Sequence, residues 1–394
     1  MLSPRQIFLA HLAQTSAFPL MLEVERAEGC YFYTTDGKAY LDLISGIGVS
    51  NVGHRHPKVL QAIQNQLDKY LHVMVYGELI QSPQNRLAQK LSQVLPESLS
   101  NVYLVNSGTE ATEGAMKLAK RFTGKPKIIS CHKAYHGSTQ GALSLGDEAF
   151  KQAYRPLLPE TKKIVYGSYR DLEQVIDTDT AAVIIEPVQG EAGVVAACRE
   201  YFRALRQRCD ETGTLLVFDE IQTGFGRTGK LFAFEHYEVV PDILLLAKGL
   251  GGGMPIGAFV SSKEIMSVFM DNPILGHITT FGGHPVSAAA ALATLEVIQE
   301  EKLVEQVEAK AALFRKLLAH PRILEMRQRG LMMALAFEDF PTVKKIIDRA
   351  IELGLLTDWF LYCDNALRIA PPLVISEAEI ERACALLLEA IDQS

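Results

Sequence analysis

The chain has 394 residues, 48% hydrophobic and 22% charged, which is enough for a large buried core and for more than one domain. A net charge of -7 and the absence of any basic run argue against nucleic acid as a partner and favour small molecules. No apolar run reaches membrane-spanning length, the start Met1-Leu2-Ser3-Pro4-Arg5-Gln6 has no signal-like pattern, and the scattered Cys30, Cys131, Cys198, Cys209, Cys363 and Cys384 suit reduced packing thiols in a cytoplasmic protein.

In chain order, Tyr33-Thr34-Thr35-Asp36-Gly37-Lys38 predicts a hairpin, because Asp-Gly is a strong turn signal. A helix is expected from about Pro57 to Leu71. His54 and His56 flank Arg55 at a spacing that suggests a metal, yet no third ligand is in view and a structural role is favoured, with no metal expected. From about Asn101 to Gly283 short apolar runs alternate with helical stretches: Val102–Val105, Lys127–Ser130, Ala181–Ile185, Leu215–Phe218, Ile243–Ala247 and Ala258–Val260. Such alternation predicts an α/β domain with a mostly parallel sheet, its ligands gathered beyond the carboxyl ends of the strands. After about Pro285 the pattern turns helical, with a buried alanine-rich helix near Val286–Val297. Strand-like runs follow at Leu331–Phe337 and Leu367–Ala370. The expected organisation is a large domain at 56–285 and a small α+β domain built from 1–55 and 286–394.

Two runs carry chemistry. Leu215-Leu216-Val217-Phe218 closes on Asp219-Glu220, and Ile243 to Ala247 delivers Lys248, followed by Gly249 and Gly251-Gly252-Gly253. A lysine that forms a Schiff base and a carboxylate that keeps a ring nitrogen protonated are what pyridoxal phosphate chemistry needs. Burial would strip the ammonium of its proton and make Lys248 a usable nucleophile and base. Either residue alone is also an ordinary strand end. The glycines after Lys248 do not form a dinucleotide loop, since Pro255 and an apolar run follow them.

Asn106-Ser107-Gly108-Thr109-Glu110 runs from a strand end into a helical pattern, so free N–H groups and hydroxyls make an anion pocket suited to a phosphate. An ordinary helix cap explains the same residues. Tyr135-His136-Gly137 follows another strand and offers a ring to lie against the pyridine.

Together with Glu186-Pro187-Val188-Gln189-Gly190-Glu191, the Phe218–Gly229 stretch and Thr280-Phe281-Gly282-Gly283, these motifs resemble the class III aminotransferases, and most of all their ornithine and acetylornithine branch. The resemblance runs from Gly53-His54-Arg55-His56-Pro57 to Leu367-Arg368-Ile369-Ala370-Pro371-Pro372. It implies the pyridoxal-phosphate fold type I and a homodimer that transfers a terminal amino group to a 2-oxo acid. It makes Lys248 the Schiff-base lysine and Asp219 the partner of the pyridine nitrogen. Gln222 would lie near the ring hydroxyl, Tyr135 with its neighbour His136 against the ring, and Glu186 in the polar shell. Ser107, Gly108 and Thr109 would hold the phosphate, and Thr280 would reach the neighbouring subunit's phosphate. Glu191 would pair with Arg368 and release it to a substrate carboxylate in one half-reaction; two surface charges of little weight are the plainer reading of that pair. Ser138 and Ile47 complete the expected substrate contacts.

At one position the chain departs from that branch: an arginine usually follows the aromatic-His-Gly triplet, and here Ser138 stands there. The loss of a bidentate partner for a second substrate carboxylate is worth about 1.5 to 3 kcal/mol. The Tyr-His-Gly-Ser-Thr wording is similar to that of amine:pyruvate and other ω-amino acid aminotransferases, so the donor is left open. The same cofactor also serves decarboxylases, aminomutases and epimerases, and a non-catalytic binding protein would retain the fold while losing turnover.

Overall fold

The computed structural model describes residues 2–394. Seven strands build the central sheet: β1 (Asn101–Val105), β2 (Lys127–Cys131), β3 (Thr161–Ile164), β4 (Thr180–Ile185), β5 (Leu215–Asp219), β6 (Ile243–Leu246) and β7 (Gly257–Ser261). They lie in the order β1-β7-β6-β5-β4-β2-β3. All run parallel except β7, which is antiparallel to both of its neighbours. The centre of the sheet is fully buried on both faces, which explains why β4, β5 and β6 read as continuous apolar runs rather than alternating ones. At the edge, β3 reads Thr-Lys-Lys-Ile and has one buried residue; an edge strand carries charge on its open side and so gave no apolar signal.

The helix α1 (Gly108–Thr123) starts directly after β1 and covers the sheet with small residues, among them Ala111, Gly114 and Ala115. A Cβ at Gly114 would stand 2.3 Å from Cε1 of Phe259 on β7, so the helix can approach the sheet this closely only at glycine. Gly114→Ala is expected to destabilise the protein by about 1–3 kcal/mol through overpacking, read as a lower thermal midpoint. An unchanged midpoint would show that α1 floats above the sheet.

Two smaller sheets flank this unit. Val24–Glu28, Tyr31–Thr34 and Ala39–Asp42 form an antiparallel meander through the Asp36-Gly37 turn, and Leu355–Leu356 joins it in parallel, so segments from both chain ends share one sheet. A third, antiparallel sheet orders Glu325–Arg329, Met332–Ala336, Cys363–Ile369 and Asp358–Phe360. The helix expected to Leu71 stops earlier, at Leu67, where Lys69 and Tyr70 turn back onto the Gln66 carbonyl. α2 (Pro285–Glu300) is buried along nearly its whole length and packs against the Pro57–Leu67 and Ser82–Val94 helices. No helix is long and apolar enough to cross a membrane among the described residues. Cys198 is exposed and Cys363 half-buried, so these two depart from the packing role expected of the cysteines; the other four are buried.

Arg227 ties the sheets together. It is fully buried and donates to the carbonyls of Leu331 and Pro371 and to Asn51 Oδ1 at 2.7 Å. Burial lowers its pKa to about 9.

Candidate active site

Strand register brings the acid and the lysine together. Ile185 pairs with Phe218, and Asp219 pairs with Leu245, so Glu186, Asp219 and Lys248 emerge side by side from the carboxyl ends of β4, β5 and β6. All three line a cavity of about 490 Å³. That volume is ordinary for a cofactor site.

Asp219 is buried and fixed at both oxygens. Oδ2 lies 2.7 Å from His136 Nδ1, and Oδ1 accepts from the Ile221 N–H at 3.0 Å. Lys248 opens a short turn at φ +44°, a strained conformation for any residue other than glycine. Burial pushes its pKa below the usual lysine range, against the pull of Glu191 and Asp219. Glu186 is held well above the usual carboxylate range by burial and then by the charge of Asp219. Its Oε1 accepts from Gly190 N–H at 3.1 Å, while among the described residues Oε2 has no partner, nor has His136 Nε2. Two buried polar atoms left open at one cavity are the mark of a polar ligand.

The start of α1, which also lines the cavity, is built for an anion. Ser107 caps α1 by accepting from Glu110 N–H at 3.3 Å, and Asn106 N–H binds the Glu110 carboxylate at 2.6 Å, which draws that acid back toward the strand end. The first amides of the helix then face the cavity with the positive end of its dipole. Side chains are excluded here. A Cβ at Gly108 would stand 2.8 Å from Ile221 Cδ1, and one at Gly137, where φ is +128°, 2.2 Å from Thr109 Oγ1.

Glu191 and Arg368 form a bidentate pair, both contacts 2.8 Å, and both side chains are buried. This overturns the reading of two surface charges. Burial alone would raise the Glu191 pKa, yet the Arg368 fork holds it below the usual range. Gln222 Nε2 reaches Glu191 Oε1 at 3.4 Å, and Leu361 N–H donates to Oε2 at 3.1 Å. Asp358 adds a second acid, its Oδ1 3.0 Å from Arg368 Nε. Asp358 faces Arg368 across an antiparallel pair, so only the pairing of the two strands reveals it. Burial lifts its pKa to about 6, with Arg368 opposing.

Ser107, Gly108, Thr109, Tyr135, His136, Ser138, Glu186, Glu191, Asp219, Gln222 and Lys248 all line the one cavity. Arg368 joins it through Glu191. Thr280 and Ile47 are exposed and stand outside its lining, although Val49, two residues past Ile47, belongs to it. Asp358 was not singled out from the sequence as a site residue, and Asn106 entered only as the first residue of the anion-pocket motif. His54 and His56 bond to Asp42 and Glu301, each at 2.9 Å, as structural histidines do.

The sequence model of the family described as Aminotransferase class-III matches residues 12–391. The chain belongs to that family. It is a pyridoxal-phosphate-dependent aminotransferase of fold type I. It is 41% identical over 389 residues to the acetylornithine aminotransferase of Methanopyrus kandleri, covering 98% of this chain and 97% of that one. To the acetylornithine aminotransferase of Archaeoglobus fulgidus it is 38% identical over 381 residues, covering 96% and 97%. Among solved structures it superposes on the ornithine aminotransferase of Toxoplasma gondii ME49 with a TM-score of 0.92 at 29% identity, covering 100% of this chain and 96% of that one. An amine transaminase from an uncultivated Pseudomonas species, solved with pyridoxal phosphate bound, gives 0.90 at 27%, covering 97% and 98%.

The aminotransferase cavity fits that cofactor. The glycine cradle at the start of α1 suits its phosphate, the buried carboxylate of Asp219 suits its ring nitrogen, and the amine of Lys248, with its depressed pKa, suits its aldehyde.

Proposed function

We propose that the enzyme moves a terminal amino group from an amine or an ω-amino acid to a 2-oxo acid, either 2-oxoglutarate or pyruvate. The observation that carries this reading is the closed Glu191–Arg368 pair beside the Lys248 cavity. A pocket that neutralises its own arginine can take a donor with an uncharged end. The same pocket takes a carboxylate when the glutamate turns away. The acetylornithine aminotransferase names of the relatives support transfer of a terminal amino group.

Pyridoxal phosphate, when bound, supplies the electron sink that makes the amine-bearing carbon acidic. In this reading Lys248 Nζ, whose pKa burial lowers, would hold the cofactor and later take up and return the proton of that carbon. The carboxylate of Asp219, held in place by His136, keeps the ring nitrogen charged. The amides of Ser107, Gly108 and Thr109 would hold the phosphate, Tyr135 would cover the ring, Gln222 would serve its hydroxyl, and Glu186 with its open Oε2 would complete the polar wall. Exposed Thr280 serves the neighbouring subunit's phosphate in a cytoplasmic homodimer, and Ile47 and Ser138 contact substrate. Residues 56–285 act as the cofactor domain, and 1–55 with 286–394 as the small one.

The test is Arg368→Lys. A lysine keeps the charge and loses the fork, so the KM for the 2-oxo acid is expected to rise about ten- to a hundredfold, with a much smaller change for an amine donor. An unchanged KM for the 2-oxo acid would refute the role of the pair. Product formation that needs no acceptor would point instead to decarboxylation or racemisation.

A further inference from the structure

A second cavity, of about 320 Å³, shares the wall Tyr135–Ser138 with the Lys248 cavity. Beyond that wall its lining includes Leu143, Phe150, Tyr154 and Tyr362, with Gln140 as the only other polar side chain and not one lysine, arginine, aspartate or glutamate. Phe150 and Tyr362 meet edge to face, their centroids 5.0 Å apart, which gives the cavity a firm aromatic side. The cations that flank these aromatics in sequence are engaged elsewhere: Lys151 Nζ donates to the Ser144 carbonyl at 3.0 Å, and Arg155 holds Glu148. Ser138, the position where a guanidinium would otherwise stand, spends its hydroxyl on Tyr135 Oη at 3.0 Å. A carboxylate placed here would lose its hydration and find no charged partner.

The aromatic side is also bonded to the residue that guards Arg368. Tyr362 N–H donates to the Glu191 carbonyl at 3.0 Å, and Leu361 N–H to its carboxylate. A tail packed on Tyr362 therefore rests against the segment that keeps Glu191 closed on the arginine.

We propose that the amino donor of this enzyme is a primary amine whose far end is uncharged and apolar or aromatic. That end is seated between Tyr135 and Ser138 on one side and Phe150, Tyr154 and Tyr362 on the other. Donors with a carboxylate at that end are selected against. The proposal rests on the reading of the enzyme as a terminal-amine aminotransferase and names its donor class.

The experiment uses the holoenzyme and single-turnover loss of cofactor absorbance. The donors are hexylamine and 3-phenylpropylamine against 6-aminohexanoate and N-acetylornithine, with L-glutamate as the reference amino acid. The two amines are expected to react with at least about tenfold higher efficiency than the two carboxylates, the factor a missing charge-assisted pair sets. Binding of unreactive hydroxyl analogues, 3-phenylpropan-1-ol against 6-hydroxyhexanoate, measured by calorimetry, is expected to show the same preference without turnover. Ser138→Arg is expected to reverse it toward 6-aminohexanoate by tenfold or more. Reaction with glutamate combined with an equal or better reaction with the carboxylate donors would overturn the tail proposal while leaving the transferase reading intact. Failure to react with glutamate and with every amine would overturn the transferase reading itself.

Discussion

Lys248→Ala is expected to remain colourless when reconstituted with pyridoxal phosphate and to transfer amino groups at least about 10²–10⁴-fold more slowly, the range that loss of one positioned proton carrier commands. The fold is expected to survive. Lys248 Nζ makes no hydrogen bond to another described residue, and alanine meets the same backbone strain at φ +44° as lysine does. The pH dependence has a definite sign. The folded pKa of Lys248 lies below its ordinary 10.5, so between the two values the unfolded chain binds more protons at this site than the folded one. Lys248 therefore opposes folding fully at pH values below its folded pKa, and the opposition vanishes as pH rises to 10.5. The cofactor-free variant should be the more stable protein at neutral pH and lose that advantage in alkali. Methylamine added to the variant should restore part of the proton transfer. Turnover equal to the parent enzyme would end the assignment of Lys248.

The second large effect is expected at Asp219. Asp219→Asn retains the shape of the side chain and an acceptor for Ile221 N–H, but it removes the charge 2.7 Å from His136 Nδ1 and from any ring nitrogen in the cavity. Breaking a buried charged pair costs about 3–5 kcal/mol, which corresponds to about two to four orders of magnitude in rate if the charge is used in the transition state. The fall should appear in kcat for both half-reactions, while the KM for the 2-oxo acid, which the proposed function assigns to Arg368, should change little. A kcat within threefold of the parent enzyme would show that the ring nitrogen does not depend on this carboxylate.

The parts of the site visible in the sequence are local in origin. Leu215–Phe218 and Ile243–Leu246 are buried on both faces, so their apolar runs are unbroken and their ends, Asp219 and Lys248, stand out. Ser107 is legible for the same reason, because a helix cap is written in adjacent residues. Charged edge strand β3 and the strand Val24–Glu28, which is exposed along most of its length, left no such mark, since neither needs an apolar face.

By itself the amino-acid sequence determined the alternation of central strands and helices, the acid and the lysine at two strand ends, and the absence of an arginine at 138, because each is stated within a few neighbouring residues. Tertiary structure alone decided that Glu191 and Arg368 are a buried pair rather than two surface charges, that Asp358 stands behind them, and that Phe150, Tyr154 and Tyr362 close one uncharged cavity beside Ser138. The physical reason is distance along the chain. Glu191 and Arg368 are 177 residues apart, and whether such charges meet in water or in the interior depends on how separate sheets pack, which no local pattern encodes.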